Sequence, residues 1–228
     1  MQPLPPFPSL ETLFQQADWL AGTPLLLAIT LGVIVAVAAR DWRLVLAALM
    51  VVYAGLALLT ASLLPPQWAL LRVVVGGLAA VIWYLSAQQA GWGGRFLPFQ
   101  HSQGQGVQAR PLSSTTFFRA LVALSLAALI LALRPQLPVP VLPADIRFVV
   151  IWLGAFGLLG LALGDEALQT GVSLLLWLAA TQLMLASLQQ DAWLIWLLSS
   201  VELLLALATG YLMIARGPLW RHEQEGNE

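Results

Sequence analysis

The sequence contains no cysteine and no lysine, and it has only two histidines, His101 and His222. The absence of cysteine excludes disulfides, thiolate metal sites, iron–sulfur ligation and a cysteine nucleophile. Both histidines fall outside the apolar segments, which argues against intramembrane haem ligation, and no metal site or other cofactor is expected. The ten basic residues are all arginine and are scattered singly along the chain, so the basic cluster that phosphate binding needs is missing and nucleic acid is set aside as a partner. Charge of either sign is scarce, at 9% of residues. No carboxylate pair, Ser-His arrangement or acidic loop motif is present, so no catalytic residue is assigned, an enzyme in its own right is the least favoured reading, and any catalysis belongs to partner subunits.

What is there is apolar. Hydrophobic residues make up 60% of the chain and the mean hydropathy is +0.84, which places the whole chain in the membrane class. Seven apolar segments follow one another: Trp19–Ala39, Leu44–Leu64, Trp68–Ala87, Thr116–Leu133, Ile146–Gly164, Ala167–Leu188 and Ala192–Ala215. The expected fold is all-α, a polytopic transmembrane helix bundle of about seven spans in contact with the lipid bilayer. The opening twenty residues carry four prolines and no basic stretch, so no cleavable signal is expected and the first span stays. Ser9 is a plausible N-cap there, with Leu10, Leu13, Phe14, Ala17 and Leu20 at helical spacing, which predicts a short interfacial helix over 1–20.

The arginines orient the bundle. With the N-terminus outside, Arg40, Arg43, Arg95, Arg110, Arg119, Arg216 and Arg221 fall inside, and only Arg72, Arg134 and Arg147 fall outside. The positive-inside bias therefore predicts an outside N-terminus and a cytoplasmic C-terminus, in a bacterial plasma membrane. Arg72, about one turn into its segment, is expected to snorkel to the headgroups.

The linkers are short except for the loop at 91–114. That loop is rich in Gly, Gln and Ser, but its glycines match no phosphate-binding pattern, and His101 reads as an ordinary loop residue. Gly154, Gly157, Gly160 and Gly164 share one face of the fifth segment and predict close helix packing. Trp177 lies near mid-depth in the sixth segment and is expected to pack within protein, its indole N–H hydrogen-bonded. Gln182 and Thr181 lie nearby; Gln182 reads as interhelical glue or as part of a relay. Asp165 and Glu166 form a solvated turn.

Glu202 stands out most. It sits near the middle of Ala192–Ala215, where an ionised carboxylate costs about 2.5 kcal/mol or more, so it needs a partner or a proton. At 100° per residue it shares a face with Ser199, Ala206 and Thr209, while Leu204, Leu207 and Tyr211 point away. Two readings stay open: a proton-handling carboxylate, with Gln182, Thr181 and Ser199 as neighbours, or a protonated acid that fixes helix register.

Sliding the chain by 125 residues aligns Asp41 with Glu166, Ala61–Leu63 with Ala186–Leu188, and Trp68 with Trp193. This predicts two parallel three-helix units, 21–90 and 146–216, joined by 91–145 with its loop, bridging helix and Pro-rich linker, and followed by a polar tail over 217–228. Gly77 then takes the place of Glu202 in the first unit.

The second unit resembles the K-type small membrane subunit of respiratory complex I and its relatives, the C-type subunit of multisubunit cation/proton antiporters and the E-type subunit of group 4 membrane-bound hydrogenases. The resemblance is carried by GAFGLLGLALG at Gly154–Gly164, the turn Asp165-Glu166, the helix Glu166–Leu185 and SSVELLLALATG at Ser199–Gly210, within a unit of about 70 residues. It implies an accessory subunit of a proton- or cation-translocating redox or antiporter-like complex, with other membrane subunits as partners and Glu202 as the third-helix proton carrier. The family's second helix carries a glutamate of its own, and Leu174–Trp177 has none. The alternatives are a membrane scaffold or assembly subunit with no transport role, and a stand-alone transporter.

Overall fold

The computed structural model describes residues 22–91, 114–133, 135, 142–164, 166–188 and 192–225. The proposed interfacial helix over 1–20, His101 and its loop, Asp165 and the end of the tail lie outside them. The described residues form seven helices and no strand: α1 Thr23–Ala38, α2 Trp42–Ala61, α3 Pro66–Gln89, α4 Ser114–Leu133, α5 Ala144–Leu163, α6 Ala167–Leu188 and α7 Ala192–Glu225. Five of them, α2, α3, α5, α6 and α7, are long and apolar enough to cross a membrane. In α1, and in α4 from Phe117 to Leu133, the apolar run is shorter. The protein is an all-helical membrane bundle.

Short polar punctuation makes the hairpins. Asp41 caps α2 by accepting from the Arg43 backbone N–H at 3.1 Å, and the Arg43 guanidinium lies 5.2 Å from the Trp42 ring centre. Pro65 and Pro66 turn the chain into α3, where a fixed φ and a missing N–H do no harm at a helix start. Helices joined so tightly are antiparallel neighbours, which accounts for α1–α2–α3 and α5–α6–α7.

The six helices of these two hairpin sets close a ring in which α1 meets α2, α2 meets α3, α3 meets α7, α7 meets α6, α6 meets α5 and α5 meets α1. Inside it, α6 also touches α1 and α2, while α4 packs more sparsely on α1 and α5. Helices α3 and α7 run parallel, since Trp68 meets Trp196 near their starts, and Ser86 and Ile82 meet Gly210 towards their ends.

The two sets are built alike. Helices α1 and α5 end at Ala38 and Leu163, and α2 and α6 begin at Trp42 and Ala167, each pair 125 residues apart. The same shift relates the glycine crossings. A Cβ on Gly32 would stand 2.9 Å from Val52 and 3.3 Å from the Ala48 carbonyl oxygen; one on Gly157 would stand 3.0 Å from the Ser173 carbonyl oxygen and 3.1 Å from the Trp177 nitrogen. Glycine at both places lets the paired helices approach backbone to backbone. Gly160 lies equally close to Ser173, and Gly164 approaches Thr170, but Gly154 has open space and takes no part in the close packing expected of it.

Lipid is as apolar as leucine, so large side chains face outward without penalty, among them Leu31, Leu124, Leu204 and Leu207. Trp177 joins them at 43% exposure instead of packing inside. Gly157 draws α5 against the Trp177 backbone and Cβ, and the ring is turned to the rim. Aromatic side chains gather at both ends: Trp68 with Trp196 at one, Trp42 with Tyr84 at the other. Trp68 and Tyr84 are sixteen residues apart on α3, about 24 Å, which is the scale of two interfacial belts.

Candidate functional site

Helix α7 turns Ser199, Glu202, Ala206 and Thr209 inward, all buried, and Glu202 is 1% exposed. Leu204, Leu207 and Tyr211 face out. What Glu202 meets is not on its own three-helix set. Arg72 of α3 is 3% exposed and does not snorkel; its guanidinium and the Glu202 carboxylate act on one another electrostatically, and Tyr53 of α2 acts on both. The Tyr53 hydroxyl is turned toward the carboxylate but stands short of full hydrogen-bonding geometry. Gly76 makes room for this: a Cβ there would lie 2.5 Å from the Tyr53 ring.

The charges come from the two units at non-equivalent positions. Gly77, which matches Glu202 under the repeat, has no neighbour within 4 Å of an added Cβ, and Leu197, which matches Arg72, is exposed. The snorkelling expected of Arg72 is therefore corrected: its buried guanidinium lies within electrostatic reach of the acid on α7.

Around this core, Gln182 of α6 donates to the Ser199 hydroxyl at 3.0 Å and to the Ile195 carbonyl at 3.2 Å, tying α6 to α7 one turn from Glu202. Its carbonyl oxygen Oε1 is buried and unpaired. Thr181 is not drawn in: half-buried, it donates back to the Trp177 carbonyl of its own helix.

Among the described residues five buried side-chain polar atoms make no hydrogen bond, and four belong here: Tyr53 Oη, Arg72 Nη1, Gln182 Oε1 and Glu202 Oε1. Each such atom costs about 1–3 kcal/mol, so two donors and two acceptors together call for bridging water, which typically makes about three hydrogen bonds when buried. Chemically, Arg72 is a permanent cation, Glu202 can exchange a proton, and a tyrosine hydroxyl both donates and accepts. No group of three or more His, Asp or Glu side chains that could hold a metal occurs among the described residues.

Two other polar groups tie the bundle away from this site. The Trp83 indole of α3 bonds to α7 at Ala206 and Thr209. Arg119 of α4 is buried and donates to the Gln169 side chain and the Leu163 carbonyl at the end of α5. Gln169 in turn donates to the Ala39 carbonyl after α1 at 3.3 Å. A cation and an amide thus cover the negative ends of the two equivalent helices.

Sequence reading found Glu202, Ser199 and Gln182 but not Tyr53 or Arg72. The available signal was an arginine about one turn into the apolar segment Trp68–Ala87, four before Gly76. No family model, curated protein or solved structure matches the chain.

Proposed function

We propose that this chain is an integral-membrane subunit of a proton- or cation-translocating assembly, in which Glu202 takes up and releases a proton beside the fixed charge of Arg72. The observation that carries the reading is the burial of a carboxylate within electrostatic reach of a buried cation from the other three-helix unit, with unpaired polar atoms on both. An acid held in that way, at that depth, is expensive to keep and serves charge movement more readily than adhesion. The likeness of Gly154–Gly210 to the K-type and E-type subunits points the same way. Glu202→Gln should abolish proton movement in vesicles of native membranes while the protein still assembles, and unchanged movement in the assembled variant removes the proton role.

The position of the site favours a second reading, a stand-alone transporter. Transporters built from repeats hold substrate near mid-membrane at the repeat interface, and Arg72 and Glu202, on different three-helix sets, lie within electrostatic reach of one another. Purification in mild detergent with mass spectrometry separates the two. Large membrane or redox subunits in fixed ratio support the first; the chain alone, or as a homo-oligomer, supports the second.

A further inference from the structure

The polar atoms are not spread evenly along the bundle. Gln182 is six residues from the end of α6, Arg72 six from the start of α3, Tyr53 eight from the end of α2 and Glu202 ten from the start of α7, or about 9 to 15 Å from one and the same end. The apolar core is divided accordingly. A large cluster fills most of the bundle, and a separate small one of Leu64, Ala186 and Ile195 caps that end, with Leu63, Trp68 and Leu71 packed against it. Ile195 is one turn from Ser199, and its carbonyl accepts from Gln182.

Beyond Glu202 in the other direction the packing is closed. Trp83 is fully buried with its N–H bonded to Ala206 and Thr209, and Thr209 is bonded back to its own helix at Leu205. A Cβ on Gly171 would stand 2.9 Å from Thr209 and 3.0 Å from Trp83, and one on Gly210 would stand 2.8 Å from the Ser86 hydroxyl. None of the unpaired polar atoms belongs to these residues.

We propose that Glu202 exchanges its proton with one end of the bundle only, the end where α6 stops and α7 starts, through water held by Tyr53, Arg72, Gln182 and Ser199 behind a thin apolar gate of Leu64, Ala186 and Ile195. The inference rests on Glu202 being the proton carrier. Hydronium delivered along the water gives its proton to the carboxylate, leaving water and the neutral acid, and the return step is the reverse. Release to the opposite end requires α3 and α7 to part at Trp83.

The natural lack of cysteine makes the test direct. Ser199→Cys, Thr209→Cys and, as a marker of the gated end, Trp193→Cys are each made in the full chain and exposed to a small impermeant methanethiosulfonate from either side of sealed native vesicles. The expected result is that Ser199→Cys reacts only from the side on which Trp193→Cys reacts, at least about tenfold faster than Thr209→Cys, and that adding Ile195→Ala speeds it several-fold. Reaction from both sides, from the opposite side, or equally fast at Thr209→Cys overturns the proposal, as does no reaction even with Ile195→Ala. Deuterium exchange of the infrared carboxyl band that Glu202→Gln removes gives a readout free of cysteine: Ile195→Ala should accelerate it, and an unchanged rate counts against the gate. Labelling is read without turnover, so a silent Glu202→Gln in proton movement would remove the carrier role and leave the measured access standing.

Discussion

Trp83 on α3 donates its indole N–H to the Thr209 hydroxyl on α7 at 2.8 Å, and shares it with the Ala206 carbonyl at 3.0 Å. The bond joins the third helices of the two units on the side of Glu202 away from the gate. Thr209 is satisfied by its own helix, bonding Leu205 at 2.8 Å, so the indole is the partner that matters.

Trp83→Phe keeps most of the buried ring and removes the bond, and should cost about 1 kcal/mol, the usual size of an interhelical hydrogen bond in a membrane. Trp83→Ala should cost about 3–5 kcal/mol through the cavity it leaves. Unfolding of the detergent-solubilised protein in increasing sodium dodecyl sulfate measures both. Equal losses for the two variants would mean that the bond, not the ring, holds α3 to α7.

The glycine crossing of α5 and α6 gives a two-residue cycle. A Cβ on Gly160 would clash with Ser173 Oγ and stand 3.1 Å from its Cβ, so Gly160→Ala should destabilise by about 1–3 kcal/mol. Removing the hydroxyl with Ser173→Ala should recover most of that in the double variant. Gly154→Ala has open space and should be neutral or gain up to about 1 kcal/mol from helix propensity. Strictly additive losses at Gly160 and Ser173 would show that the two do not meet.

Arg72 and Glu202 should be coupled in stability. Arg72→Met leaves a buried acid without its cation and should cost about 3 kcal/mol; Glu202→Gln should cost less, because the isosteric amide needs no counter-charge and keeps a carbonyl dipole on that face of α7. The double variant should be less destabilised than the sum by about 0.5–3 kcal/mol. The same dodecyl sulfate titration reads this cycle, and a coupling near zero would mean that the two charges do not sense each other across the units.

Much of the architecture is local and was therefore legible in the residues. A run of about twenty apolar residues must close its own backbone hydrogen bonds in lipid, and so becomes a helix wherever it lies. Arg40–Arg43 and Pro65–Gln67 are too short to do anything but turn the chain back. The 125-residue recurrence was also read from the sequence, and the ends of α1 and α5 and the starts of α2 and α6 fall at that spacing. Likewise the small weakly polar stripe of Ser199, Glu202 and Thr209 was enough to say which face of α7 turns inward.

Which helix that face meets was decided by tertiary structure. Glu202 and Arg72 are 130 residues apart, and nothing local to either names the other. The apolar helices are hydrophobic all round, because lipid and protein interior are equally apolar, so periodicity gives no inward face for α3 or α6. Arg72 therefore read as a snorkelling residue and Trp177 as a buried one, and the structure reverses both. The reversal comes from backbone approach: Gly76 admits Tyr53 between α2 and α3, and Gly157 seats α5 against Trp177. The residues alone determined that the chain would be a bundle of membrane helices carrying one costly acid. Only the packing of glycine-lined crossings, set by shape between distant segments, brought a cation and a phenol to that acid.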